Sequence, residues 1–429
     1  MSEEAEDWKI SFTAEWNKRK SSRLPSNAVF PLAENPFGSA EILAMAEVLL
    51  SGKLTMGENV SEAEELFART VSVPYACMVN SGSSANLLAL ACLKHRFMEA
   101  NQNWEILIPA VCWSTSLFPI VQQGFTPRFV DVDPRTMNMS LQSLQNAMNP
   151  NVKAIMAVHV LGNSICMQDL MNFVKQHDLV LIEDTCESLG SYCCVDGEKC
   201  MLGTLGSFGT FSFYFSHHIT SGEGGMLVCQ NEADYNLAVC LRAHGWSRQL
   251  SNKEAIEKLY PDIDPRFLFL NAGYNLRPME VQGAMLKVQL ARLSEFNECR
   301  RNNFRRISEA INSSPGLRGK IQLMEASDGT DPAWFGLACL LCPTYTHQLK
   351  DFLAYLIEMG VENRPIISGN FLRQPFVKQN LSPLNPSDFP GAEVVHSAGF
   401  FIGIHQIPIP DERITELIRT FQSFSFREL

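Results

Sequence analysis

Residues 154–184, AIMAVHVLGNSICMQDLMNFVKQHDLVLIED, decide the reading of this chain. An apolar run, AIMAVHV (154–160), precedes MQDLMNFVKQHD (167–178), whose apolar residues recur at helical spacing, and a second apolar run, LVLIED (179–184), follows. Uninterrupted apolar runs suit strands buried on both faces, and a helix between two of them is the crossover that joins parallel strands. The stretch predicts strand, helix, strand in an α/β sheet. Working outward, YACMVN (75–80), EILIPA (105–110), RFVDVD (128–133), GTFSFYF (209–215) and GGMLVCQ (224–230) read as further strands. Beyond them the spacing predicts one long helix over 281–311, with Pro278 acceptable in its first turn. A strand (WFGLACLLC, 334–342), an amphipathic helix closed by Gly360 and a terminal helix from Asp411 complete a smaller α+β unit. The expected division is an N-terminal extension (1–30), a large domain (31–290) and a small C-terminal domain (291–429).

The 429 residues are 46% hydrophobic and 19% charged, far from the composition of a disordered chain. Thirty-five Lys and Arg against 46 Asp and Glu leave a net charge of -11, which excludes a generic binder of nucleic-acid backbones. The acidic start MSEEAEDWKI is unlike a signal peptide, and no apolar stretch reaches the length of a membrane span, so a cytoplasmic protein is expected. Thirteen Cys, several inside apolar runs, point to reduced buried thiols. Cys339 and Cys342 form a CxxC, but it sits in a strand with no second ligand pair nearby, and no metal site is expected.

Five segments could carry chemistry. NSGSSANLLAL (80–90) follows a strand and enters a helix; Gly82 permits a tight turn, and Ser83 with the first helical N–H groups could cradle a phosphate, or simply cap the helix. Asp184 ends a strand, where side chains face the ligand crevice of an α/β sheet and a carboxylate can pair with a protonated ring nitrogen; capping the next turn is the plainer alternative. SFGTFSFYFSHHITSGEGG (207–225) offers Ser212, a glycine turn and two adjacent histidines, His217 and His218, which point to opposite faces in extended backbone and lack the acidic company of a metal pair. LRAHGWSRQL (241–250) adds His244, and AGYNLRPME (272–280) adds Asn275 on a turn before the long helix. Trp113, in IPAVCWSTS (108–116), could stack on a planar ring or pack.

Together and in this order, these segments resemble the DegT/StrS-type sugar aminotransferases, a family of fold-type-I pyridoxal-phosphate (PLP) enzymes, from about Leu32 to the terminal helix. The resemblance implies an α/β, aminotransferase-like fold whose large domain holds a mixed, mostly parallel sheet, beside a smaller C-terminal α+β domain. It also implies that Gly82, Ser83 and Ser212 hold the cofactor phosphate, Trp113 stacks on the pyridine, Asp184 pairs with its nitrogen, and Glu187 lies at its hydroxyl. Asn275 would reach the phosphate from the neighbouring subunit of a homodimer with shared active sites. One departure matters. The family's transaminases carry a Schiff-base Lys five residues after the motif serine; here that position is His217, and no Lys occurs between Lys199 and Lys253. SFYFSHH (212–218), RAHGW (242–246) and RPIISGNF (364–371) are similar to a Lys-less 3-dehydratase branch of the family. The Cys-ligated iron-sulfur cluster of another Lys-less branch has no counterpart, since no Cys lies between His244 and Cys299.

That branch implies C3 deoxygenation of a nucleotide-linked 4-keto-6-deoxy hexose, with GDP-4-keto-6-deoxy-D-mannose the expected substrate, in deoxysugar synthesis for lipopolysaccharide O-antigen. L-glutamate would be the amino donor that converts PLP to its pyridoxamine form (PMP). His217, with an ordinary pKa near 6.5, would be the acid/base, His244 would assist at the sugar, and His218 would be structural. Nucleic acid and membrane are not expected partners. A nucleotide-sugar transaminase working without a covalent Lys, and a silent regulatory homologue, stay open as alternatives.

Overall fold

In the computed structural model, which describes residues 4–22, 28–34, 37–97, 103–381 and 384–428, the decisive stretch folds as a strand, a helix and a second strand parallel to the first. Its helix, Met167–Gln176, buries Met167, Leu170 and Phe173, one stripe at helical spacing pressed on the sheet. The main sheet comprises β1 (Tyr75–Val79), β2 (Glu105–Pro109), β3 (Thr126–Val130), β4 (Val152–Val158), β5 (Val180–Asp184), β6 (Phe208–Ser212) and β7 (Gly225–Cys229). In space they run β1-β7-β6-β5-β4-β2-β3. Only β7 is antiparallel to its neighbours, so the sheet is mixed and mostly parallel, as expected. β6 and β7 are buried at every residue, which suits the unbroken apolar sequence of β7, while β6 carries the buried polar Thr210 and Ser212.

Helices cover both faces. α1 (Glu4–Ser22) lies on α2 (Ser39–Ser51), where Lys9 pairs with Glu47. The Trp16 ring lies 6.1 Å from Phe37, whose ring meets Phe215 edge-on at 6.0 Å. α3 (Glu58–Val71) buries Val60, Ala63, Phe67 and Val71 against the sheet, with Phe67 packed on Phe211 and Phe213. α4 (Gly82–Arg96) and α5 (Ser114–Gln122) start at the carboxyl ends of β1 and β2. A second, four-stranded antiparallel sheet has the order β8 (Ile321–Leu323), β9 (Gly336–Leu341), β11 (Gly399–Gly403), β10 (Asn363–Arg364). The helices Leu349–Glu358 and Asp411–Ser423 pack on it through Phe352 and Phe421, around Phe400. All thirteen cysteines are unpaired thiols. Among the described residues no helix is long and apolar enough to cross a membrane.

Two expectations need correction. The long helix over 281–311 is two helices, α6 (Glu280–Leu290) and α7 (Leu293–Ser313). No glycine or proline marks the break, so its cause is tertiary: Leu286, Leu290, Leu293 and Phe296 join the core around Phe67, whereas Ile307 and Ile311 enter the core of the small sheet. The strand expected over 209–215 stops at Ser212, because its partner β7 begins only at Gly225, the residue that faces Ser212. Beyond that pair His217 N donates to the Tyr214 carbonyl, a turn in place of extended backbone.

Candidate active site

The carboxyl ends of β1, β2, β5 and β6 converge on a cavity of about 370 Å³, the switch region where open α/β sheets bind ligands. Seven of the nine residues singled out above line it: Gly82, Ser83, Trp113, Asp184, Glu187, Ser212 and His217. Each is there for a local reason. Ser81 caps α4 by accepting from Ser84 N at 3.1 Å, which leaves the N-terminal turn open toward the cavity. A Cβ at Gly82 would lie 2.5 Å from Ser212 Cβ, and one at Gly225 would lie 2.3 Å from the Ser81 carbonyl, so glycine at both positions lets the α4 turn close against β6 and β7. Ser83 Oγ donates to Thr115 Oγ1 at 2.9 Å, tying this turn to the start of α5. Hydroxyls, free helical N–H groups and a positive dipole end make a cradle that suits a phosphate.

Asp184, 5% exposed, ends β5. Its Oδ2 accepts from Ser116 Oγ (2.7 Å) and Asn86 Nδ2 (2.8 Å), and Oδ1 accepts from Cys186 N (3.2 Å). Asn86 and Ser116 were not singled out from sequence, although both lie in the quoted motifs; what marks them is their approach to one carboxylate from two helices. Glu187 Oε2 accepts from Leu161 N at 3.0 Å. Burial, reinforced by the nearby Asp184 charge, pushes its carboxyl up to about 7. Trp113 is 56% exposed at the mouth, with its indole free to cover a planar ligand.

His217 Nδ1 donates to the Ser212 carbonyl at 3.3 Å, which fixes the tautomer and leaves Nε2 as the basic nitrogen. Burial lowers its pKa to about 4, against a smaller rise from the Ser212 carbonyl, so the imidazole is neutral at physiological pH and its ordinary pKa of 6.5 does not apply. His218 is fully buried and donates from Nε2 to the Ala333 carbonyl. Both rings nevertheless pack on Phe335, with centroids at 5.3 Å for His217 and 5.9 Å for His218, and the backbone between them is a turn, so the opposite-face expectation drawn from extended backbone does not apply. Among the described residues no Lys or Arg lines the cavity, and Phe335 and Ile367 enter it from segments flanking the small sheet.

His244 and Asn275 do not line this cavity. Ala243 pairs with Asn275 in an antiparallel bridge, and Asn275 Oδ1 accepts from Arg277 Nε at 3.1 Å. His244, with φ 62°, places its ring 4.7 Å from that of Trp246, on which Arg248 stacks at 4.2 Å. Phe267, Phe269 and Met279 are exposed beside this cluster.

Residues 37–422 match the DegT/DnrJ/EryC1/StrS aminotransferase family. A GDP-4-keto-6-deoxy-D-mannose 3-dehydratase of Yersinia pseudotuberculosis is 36% identical over 389 residues, 89% of this chain and 96% of that one. The E. coli GDP-4-keto-6-deoxy-D-mannose-3-dehydratase solved with bound hydrated PLP superposes with a TM-score of 0.82 at 34% identity, over 91% of this chain and 99% of that one. A structure of GDP-4-keto-6-deoxymannose-3-dehydratase with a trapped PLP-glutamate geminal diamine gives a TM-score of 0.83 at 34% identity, over 91% and 100% of the two chains. With its mixed sheet, its glycine-built cradle and its buried aspartate at the end of β5, the chain belongs to the DegT/DnrJ/EryC1/StrS aminotransferase family.

Proposed function

We propose that the protein is a PLP/PMP-dependent 3-dehydratase of a nucleotide-linked 4-keto-6-deoxy hexose, with GDP-4-keto-6-deoxy-D-mannose as substrate and L-glutamate as amino donor, working in the cytoplasm in deoxysugar synthesis for lipopolysaccharide. The observation that carries this reading is a neutral histidine, His217, beside the buried Asp184 in a cavity that no lysine among the described residues lines. The relatives' names and their bound PLP and glutamate support it.

The residues present fit the cofactor. The turn at Gly82 and Ser83, with Ser212, would hold its phosphate, because the missing Cβ at Gly82 lets the N-terminal turn of α4 close to Ser212. Trp113 would cover the ring, Asp184 would take the ring-nitrogen proton as hydrogen-bond partner, and Glu187, largely protonated below about pH 7, would meet the ring hydroxyl. When bound, the cofactor supplies an electron sink for charge developing at its 4′ carbon. Nε2 of His217 would be the proton carrier, serving as base for the proton lost at the cofactor and then as acid toward the C3 hydroxyl of the sugar, which would leave as water. With no amine to attack the cofactor covalently, the sugar stays in place long enough to eliminate. Over the cycle glutamate is oxidised to 2-oxoglutarate and ammonia, and its two electrons replace C3–OH of the sugar by C3–H. The cofactor-binding part spans residues 31–290, and residues 291–429 form the smaller domain.

A shared dimeric site completes the picture. The anionic nucleotide needs cations, and none of the described residues lining the cavity is a Lys or Arg. His244 and Asn275, off their own cavity, sit with Arg248 and Arg277 beside the exposed Phe267, Phe269 and Met279, a surface suited to serving a partner's site.

The test is mass spectrometry of products from GDP- and CDP-linked 4-keto-6-deoxy sugars with glutamate and PLP. A 3-deoxy product with one equivalent of ammonia is expected; nitrogen retained at C4 would make the protein a transaminase. His217→Asn should lose at least roughly 10²- to 10⁴-fold in dehydration while still binding PLP. Mixing His217→Asn with Asn275→Ala should restore part of the activity in heterodimers, and no recovery between folded, exchanging variants would assign Asn275 to its own subunit.

A further inference from the structure

Arg300, on α7, is 2% exposed and forms no ion pair with a carboxylate among the described residues. A buried guanidinium without a counter-ion is costly unless carbonyl oxygens surround it. They do: Nη1 donates to the carbonyls of Ile404 (2.5 Å), Phe335 (3.2 Å) and Trp334 (3.4 Å), and Nη2 to Gln406 Oε1 (3.2 Å) and the His217 carbonyl (3.5 Å). Nε has no partner at all. The chain thus spends a desolvated charge to gather the turn after β6, the approach to β9 and the segment after β11 at one point. Two of those segments reach the reacting group directly, since the Phe335 ring meets the His217 ring edge-on at 5.3 Å and Phe335 lines the cavity.

We propose that Arg300 is a positioning residue for the dehydration: its fork clasps the carbonyls of His217 and Phe335 and so sets the imidazole of His217 against the cavity. The inference rests on His217 being the acid/base, as proposed above. A neutral side chain could fill the same space, and a carboxylate partner would cancel the charge; neither is present. The uncompensated charge also has an electrostatic consequence, because it faces three imidazoles, His217, His218 and His405, and disfavours protonation of each. The other titratable groups around His217 are Asp184, whose charge acts in the opposite sense, Tyr214, whose ring lies 5.9 Å away, and His159, Cys186, Glu187 and Glu223, which line the same cavity. Arg301, the next residue, is turned away to Asp331.

The full-length protein can be compared with Arg300→Lys and Arg300→Met by two measurements. The first is the rate of diethyl pyrocarbonate modification at His217, followed by peptide mass spectrometry from pH 4 to 8, which needs no turnover. The second is the steady-state dehydration rate over the same range. Arg300→Met should raise the pH at which His217 loses reactivity by about one unit. It should also lower kcat at least tenfold while KM for the sugar changes little. Arg300→Lys should keep the wild-type pH dependence, because it keeps the charge, yet lose kcat, because an ammonium cannot fork across the two carbonyls. Unchanged His217 reactivity in Arg300→Met, with kcat within twofold of wild type, would reduce Arg300 to a structural clamp and overturn the proposal. If Arg300→Met fails to fold, Arg300→Lys decides: wild-type kcat would overturn the positioning role. Absence of dehydration in the wild type would instead refute the 3-dehydratase reading, and the modification profile would still report on Arg300 and His217.

Discussion

At the scale of single residues, the site depends on atoms that are absent as much as on those present. Gly82 is the clearest case: a methyl group there would lie 2.5 Å from Ser212 Cβ, 2.9 Å from its Oγ and 3.0 Å from Cys186 Sγ. Gly82→Ala should therefore push the α4 turn off β6 and weaken PLP retention about tenfold or more, a loss of about 1.4 kcal/mol, in an absorbance titration of the cofactor-free protein. Unaltered affinity would place the phosphate away from this turn. His217 makes the complementary point. Its residue type is legible from sequence, but its basicity is not, because burial holds the imidazole neutral down to about pH 4.

At the scale of elements, the fold relies on joints between distant segments. Glu280, at the start of α6, turns back to the start of α3: Oε1 accepts from Gly57 N (2.7 Å) and Val60 N (3.0 Å), and Oε2 accepts from Asn59 N and Nδ2 (both 2.9 Å). One carboxylate thus satisfies donors that a helix N-terminus cannot pair internally. These hydrogen bonds hold its pKa below the ordinary carboxylate range despite burial. Glu280→Gln keeps the shape but loses the charge and turns an amide NH₂ toward N–H donors. It should cost roughly 2 to 3 kcal/mol in urea unfolding, the worth of a charged-group hydrogen bond. A change below about 0.5 kcal/mol would mean that the joint is idle. No local motif announces this contact, since the partners lie more than 200 positions apart. The break between α6 and α7 is silent in sequence for the same reason.

For the whole molecule, the histidines set the response to acid. Burial lowers the pKa of His95, His217, His218, His396 and His405 below the ordinary 6.5, so the unfolded chain binds protons that the fold refuses. Their contribution is complete above about pH 6.5 and declines as the pH falls toward 4. Glu187, raised to about 7, acts in the opposite sense between pH 7 and its unfolded value of 4.5, but it is one group against five. The urea midpoint should therefore fall between pH 7.5 and 5.5, and a constant or rising midpoint would contradict the assigned burial. What the sequence by itself determined is whatever is local or periodic: the strand-helix-strand alternation, the glycine turn entering α4, Asp184 at a strand end, and His217 where a lysine would otherwise stand. The first three follow from side-chain spacing and backbone freedom within a few residues; the reading of His217 in a lysine's place rests on the resemblance to the family's transaminases. What only the tertiary structure decided is how segments far apart in the chain meet. Asn86 and Ser116 converge on Asp184, His244 and Asn275 stand off their own cavity, and Arg300 gathers three segments behind His217. Desolvation and hydrogen bonding act over distances in space, and no spacing along the chain records them.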